Sequence, residues 1–257
     1  MKTIQVTVRD KLAVVALDRG RSNPMNAEMI AELMMVFKHF EDDPEVEGVV
    51  ITGKEKFFSA GVDLIEVYNY NVEQAKDFWS KFMELQLILV SFSKPLVAAI
   101  SGHSPAGGCI IAMCCDYRVM ARGEYLIGLN EIPVGIIVPD TVFYLYAFWL
   151  GRRQAYQYLL EGRLLTVEEA YNADLVDAIV DYPKLMQVAE SKVRSYMKLN
   201  KTTWQQSKLN FRRELIDQME TDHTMALNDM LHQWWQPGTR KILQDAIEKL
   251  TASARSK

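Results

Sequence analysis

One acid stands in an otherwise apolar run. In GLNEIPVGIIVPD, residues 128–140, Glu131 lies between Asn130 and Ile132, and the next carboxylate is Asp140. An ionised carboxylate is costly to bury without partners. A residue of this kind either sits at a surface or strand edge or is kept for proton transfer. Two other stretches carry chemistry in their backbone. FFSAGVDL (57–64) and GHSPAGGCII (102–111) are rich in small residues, and each follows an apolar segment that reads as a strand. Small residues let the main chain approach a ligand closely, and a helix that opens at Gly-Gly leaves its first N–H groups unbonded. Two such loops can aim two N–H groups at one oxygen, which is the design of an oxyanion hole. Taken alone, either loop is equally well a tight strand-to-helix turn. A G-x-G-x-x-G after the first strand and a G-x-x-x-x-G-K-[ST] are both absent, so the dinucleotide and P-loop readings fail.

The elements that must position these residues alternate. Residues 3–8 and 12–17 are rich in Val, Ile and Thr around RDK, which predicts a hairpin. NAEMIAELMMVFKHFEDD places Met29, Leu33, Val36, Phe37 and Phe40 at helical spacing. GVVITG (48–53) and KPLVAAISG (94–102) read as buried strands, with the helical VEQAKDFWSKFMELQLILVSF between them. A short apolar helix after Gly107 and a strand near 117–121 follow. Thr166 with Glu169 forms a capping box ahead of a short helix, and a strand near 175–180 closes the unit. From Pro183 the pattern is helical to the end. Strands alternating with helices give an α/β fold.

The chain has 257 residues, enough for one large α/β unit or a domain with an appendage. A formal net charge of −4 does not suggest a nucleic-acid surface. Cys109, Cys114 and Cys115 are odd in number and clustered. They make a poor disulfide framework and lack metal-ligand spacing, so they are read as buried small side chains in a reducing compartment, with no metal site. The first residues read as alternating strand, not as a signal peptide. No uninterrupted apolar run of about 18 residues occurs, so no transmembrane helix is expected. The expected location is cytoplasmic.

NPMN (23–26), FFSAGVDL, KPLVAAISGHSPAGGC and CDYRVMA occur in an order and spacing that resemble the crotonase (enoyl-CoA hydratase/isomerase) superfamily. SPAGGC with IGLNE is most similar to the mitochondrial-type Δ3,Δ2-enoyl-CoA isomerase branch. The resemblance implies a spiral of ββα turns over residues 1–190 and a helical region over 191–257 that builds a trimer or hexamer. That region carries Leu185, Met186, Val193, Tyr196, Met197, Trp204, Phe211, Leu215, Met219, Met225, Leu231, Trp234 and Trp235 around and beyond its start.

By the same resemblance the N–H groups of Val62 and Gly107 would hold the thioester oxygen of an acyl-CoA. Ala60, Gly61, Asp63, Leu64, Ala106, Gly108, Ile110 and Leu129 would line the substrate site, and Asp140, where the isomerase branch usually has an apolar residue, is a further candidate for its wall. Hydratases of the family use two glutamates. Ile110 stands where the first would be, and Glu131 aligns with the second. Hydration needs one group to activate water and another to deliver a proton. Moving a double bond from C3 to C2 needs one base and an oxyanion hole. The expected activity is therefore isomerisation of 3-enoyl-CoA to 2-trans-enoyl-CoA in fatty-acid β-oxidation, with Glu131 as base and no cofactor beyond the coenzyme A of the substrate. The alternatives are a weak hydratase, another enolate-forming acyl-CoA reaction, or a non-catalytic acyl-CoA- or RNA-binding member. Asp140 is a second polar group for the site or a helix cap before TVFYLYAFW. His103 falls in a turn. Trp234 and Trp235 pack in the core, pack in a trimer, or approach the acyl tunnel, and the basic residues near 240–249 are read as a solvated helix face.

Overall fold

The computed structural model describes the backbone of residues 1–255 and the side chains of residues 1–252. Its strands are β1 (Ile4–Arg9), β2 (Leu12–Leu17), β3 (Gly48–Thr52), β4 (Lys56–Phe57), β5 (Leu96–Ile100), β6 (Gly102–Pro105), β7 (Tyr117–Ala121), β8 (Leu126–Gly128), β9 (Leu164–Thr166) and β10 (Ala178–Val180). Its helices are α1 (Ala27–Asp42), α2 (Leu64–Tyr68), α3 (Val72–Ser91), α4 (Gly107–Met113), α5 (Asp140–Leu150), α6 (Arg152–Glu161), α7 (Val167–Asn172), α8 (Leu185–Met197), α9 (Lys201–Glu220), α10 (Thr224–Trp234) and α11 (Pro237–Arg255). The fold is mixed α/β with C-terminal helices, as the sequence predicts.

The hairpin β1–β2 turns on Asp10 and Lys11, which both take positive φ. That is the backbone of a two-residue turn matching the strand twist. Among the described residues one sheet has the order β1-β2-β3-β5-β7-β10, parallel from β2 onward. β3 and β5 are buried throughout, as expected of parallel strands covered on both faces. Side chains alternate between two cores. Val49, Ile51, Leu96 and Ala98 enter the main core with α1 and α3. Val50, Val97 and Val119 face Leu185, Ala189 and Val193 of α8. So α8 runs across the 190/191 boundary drawn from sequence and is part of the sheet's covering layer. Composition could not show this, because the apolar stripe of α8 is narrow within a polar helix.

The second sheet, β4-β6-β8-β9, places the site. The segment predicted as one strand, 94–102, stops at Ile100, and GHSP forms a separate strand in this smaller sheet. The capping box at Thr166 and Glu169 forms as expected.

Several large apolar groups assigned from sequence to assembly are buried within the chain instead: Leu185, Val193, Leu215, Met219, Leu231 and Trp234. The C-terminal helices fold back onto their own core. On α9, Lys208 and Arg212 are buried and grip Asp116 at 2.8 Å and 3.1 Å. Phe211 and Met225 remain exposed.

Candidate active site

The loop from β4 to α2 is stitched to the segment after β2. Met25 N–H donates to Gly61 O at 2.8 Å, and Asp63 N–H donates to Met25 O at 2.8 Å. This bridge turns the N–H of Val62, the residue between, away from Met25. Gly61 holds φ at +86°, and a Cβ there would come within 3.1 Å of Gly107 N. Only glycine meets both demands. Asp63 caps α2 by accepting from Glu66 N–H at 3.1 Å. Its other oxygen pairs with Arg19 at 2.7 Å, and Arg19 also reaches Glu66 and Pro24 O.

The second loop arrives on β6. Ala106 N–H donates to Gly128 O at 2.8 Å. Ala106 itself sits at φ 49°, ψ −124°, a conformation that costs a residue with a Cβ roughly 1–3 kcal/mol and concentrates at functional sites. That torsion sets the plane of the next peptide, which carries the Gly107 N–H at the opening of α4. A Cβ on Gly107 would lie 3.3 Å from Val62 N and 2.5 Å from Met25 Cε. The two N–H groups therefore lie side by side, and neither has an acceptor among the described residues.

The acid is delivered by β8. Ser104 pairs with Ile127 and Pro105 with Gly128, so the strand that leads to the oxyanion-type loop fixes the strand that leads to Glu131. Glu131 begins a 3-10 turn, Ile132–Val134, and its carbonyl accepts from Val134 N–H and Ile136 N–H at 3.1 Å and 3.0 Å. The residue as a whole is only half-buried, but its Oε2 is buried without a partner among the described residues. Burial in apolar surroundings pushes its carboxyl up to about 7.

These parts face a cavity of about 680 Å³, a common size for a small-molecule site. Of the residues expected at the site, Ala60, Val62, Leu64, Ala106, Gly107, Ile110 and Glu131 line it. Gly61, Asp63, Gly108 and Leu129 do not. Gly61 and Asp63 shape the loop, Gly108 is buried in α4, and Leu129 is buried behind the strand. Asp140 is also outside the wall. Pro139 lines the cavity and the chain then turns outward, so Asp140 opens α5 on the surface, accepts from Thr141 N–H at 2.9 Å and faces His223 at 3.1 Å. Neither expected role forms: Pro139 holds the N-cap position of α5, which has no side-chain cap, and Asp140 stands outside the cavity wall.

His103 lines the cavity with its Nδ1 accepting from Leu126 N–H at 3.1 Å. Neither Trp234 nor Trp235 lines it: Trp234 packs edge-on against Trp79, and Trp79 forms the wall. On α11, Arg240 is no solvated cation. It stacks 3.4 Å from the Tyr68 ring and donates to Tyr68 O. Asp245 and Lys249, both exposed, stand at the mouth. Sequence reasoning missed Trp79, Phe82, Met83 and Gln86 of α3, which read there as one helix face among others. Among the described residues no three His, Cys, Asp or Glu side chains gather as a metal site, and no helix is long and apolar enough to cross a membrane.

Two adjacent backbone N–H groups and a buried carboxylate oxygen thus share one cavity of this mixed α/β fold. A family profile for enoyl-CoA hydratase/isomerase matches residues 7–253. Enoyl-CoA delta isomerase 1, mitochondrial, of Mus musculus is 35% identical over 93% of this chain and 83% of its own length. Crotonyl-CoA hydratase of Syntrophomonas wolfei is 30% identical over 69% of this chain and 68% of its own. The crystal structure of human mitochondrial delta3-delta2-enoyl-CoA isomerase superposes with a TM-score of 0.94, at 28% identity, over 98% of this chain and 99% of the other. The chain belongs to the enoyl-CoA hydratase/isomerase family.

Proposed function

We propose that this enzyme shifts the double bond of a 3-enoyl-CoA to give the 2-trans-enoyl-CoA of fatty-acid β-oxidation. The observation that carries the reading is that, among the described residues, one cavity holds a buried, unpartnered carboxylate oxygen on Glu131 and the N–H groups of Val62 and Gly107 without acceptors, with Ile110 where a second acid would stand.

The thioester carbonyl oxygen accepts from the two N–H groups. Glu131, as carboxylate, removes a proton from C2. The C–H electrons become a dienolate whose charge rests on the held oxygen. The protonated Glu131 then donates to C4, so the C3–C4 double bond is replaced by C2–C3. The proton leaves and returns through one group, and the thioester is the electron sink, so the step calls for no separate cofactor. A base whose carboxyl titrates near 7 suits the transfer in both directions. The apolar wall formed by Ile110, Val142, Phe82 and Val138 keeps water from the intermediate.

Two further expectations belong to this reading. The protein assembles as a homotrimer or hexamer, supported by the exposed Phe211 and Met225 and by an apolar surface with Ile132, Ile137, Tyr156 and Leu160. It works in the cytoplasm, for which its three free, buried cysteines give the support. Incubation with 3-enoyl-CoA thioesters of several lengths, following the absorbance of the conjugated product, tests the activity. Hydration of 2-enoyl-CoA at a comparable rate would favour the hydratase reading instead.

A further inference from the structure

The α3 wall of the cavity contains two polar groups that the proposed isomerisation does not use, the indole N–H of Trp79 and the amide of Gln86, and of these only the amide offers an acceptor. Gln86 is 1% exposed and lines the cavity beside Phe82 and Met83. Its Nε2 donates back to Phe82 O, one turn earlier on the same helix, at 3.2 Å. Because Phe82 O is an acceptor, the amide must turn its NH2 toward it, and this fixes which end is left over. The leftover end is Oε1, which is buried and has no partner among the described residues. Buried side-chain acceptors without partners are uncommon, and each asks for a reason.

The level of Gln86 along the cavity follows from the packing of α3 on α4. A Cβ on Gly107 would lie 3.3 Å from Phe82 Cζ. Further along, Arg212 donates to both Val90 O and Cys114 O, at 3.1 Å and 2.9 Å. The two helices therefore run side by side in the same direction. Phe82 stands opposite Gly107, Val90 opposite Cys114, and Gln86 opposite Ile110. Ile110 is one turn, about 5 Å, beyond the N–H of Gly107. A group held at that level belongs to the first few carbons after the thioester. The surrounding wall, Phe82, Met83, Ile110 and Val142, offers an alkyl chain nothing but apolar contact.

We propose that Gln86 selects acyl thioesters that carry a hydroxyl group close to the thioester, by accepting a hydrogen bond from that hydroxyl. The inference rests on the reading of the cavity as an acyl-CoA site but not on isomerase turnover. A hydroxyl has the donor that Oε1 lacks, and a plain alkyl chain leaves Oε1 unpaired. Discrimination of this sort is the strong kind, since a site built to hydrogen-bond a substrate group is left with an unpaired buried atom when the group is missing.

Calorimetric binding of saturated thioesters, which cannot isomerise, tests this. The ligands are hexanoyl-CoA, both enantiomers of 3-hydroxyhexanoyl-CoA, and 6-hydroxyhexanoyl-CoA. The wild type should bind one 3-hydroxy enantiomer at least as tightly as hexanoyl-CoA. Gln86→Leu and Gln86→Met should each weaken that ligand about 5- to 10-fold while binding hexanoyl-CoA as well or better. The Met variant keeps the straight side chain and the volume, so a packing defect in the Leu variant does not remove the test. The inference is overturned if hydroxylation weakens binding equally in all three proteins, or if only the 6-hydroxy ligand responds to the substitutions. An enzyme that proves inactive on 3-enoyl-CoA but shows the 3-hydroxy selectivity would sink the isomerase reading and leave this one standing.

Discussion

At Glu131 the chemistry turns on one proton. Glu131→Gln should lower turnover at least 100-fold, because a positioned base supplies roughly 10²–10⁴-fold, while acyl-CoA binding persists. A variant that keeps a tenth of the activity would remove Glu131 from the chemistry. In the wild type, kcat/KM should rise with pH and level off, with a midpoint near 7, since the free enzyme must present the carboxylate. Stability should run the other way. The folded carboxyl titrates near 7 and the unfolded one near 4.5, so the folded state holds more protons between those values. Stability then falls as pH rises through that window. Glu131→Gln lacks this penalty, so its unfolding free energy should match the wild type's near pH 4 and exceed it at pH 8 by roughly 3 kcal/mol, seen as a higher melting temperature. Melting curves at the two pH values that keep the same gap would contradict the burial of the charge.

Two contacts between elements decide whether the site is assembled. Arg19 ties the segment after β2 to α2 through Asp63 and Glu66, and Tyr70 donates to Glu66 from the next turn. These contacts hold the loop that presents Val62. Arg19→Met should leave the circular dichroism spectrum unchanged and lower kcat roughly tenfold, less than the roughly 10²–10³-fold for losing an oxyanion donor outright. An unchanged kcat would show that the Met25 bridge alone fixes the loop. At the other end, Asp116 balances Lys208 and Arg212 of α9 and accepts from Leu96 N–H at 2.8 Å. Asp116→Ala leaves two buried cations without their counter-charge and should cost about 3–5 kcal/mol. Chemical denaturation will measure it, and a loss below about 1 kcal/mol would mean that the carbonyls around Arg212 suffice.

For the whole molecule the open quantity is assembly. Most of the large apolar groups of the C-terminal helices are spent on the chain's own core, so the case for a trimer or hexamer narrows to Phe211, Met225 and the apolar surface near Ile137 and Tyr156. Exposed patches of this kind mark interfaces, and closed symmetry is the expected form. Light scattering at micromolar concentration should give three or six times 29.5 kDa. A persistent single-chain mass with acyl-CoA present would defeat the assembly without touching the chemistry.

The sequence by itself determined what is local. Alternating apolar residues gave β1 and β2, helical spacing gave α1 and α3, and Gly-Gly opening a helix gave the loop at 106–108, because period and backbone freedom are written in neighbouring residues. It also marked Glu131, since a lone acid in an apolar run is visible in one dimension. It could not give the small sheet β4-β6-β8-β9, whose strands are two to four residues long and have no period to read. That sheet is what brings Glu131 to the same cavity as Gly107. Nor could it separate Gln86 from the rest of α3, or Asp140 from the cavity. Both depend on which way a face points once helix packs on helix and the chain turns at Pro139, and only the tertiary structure decides that.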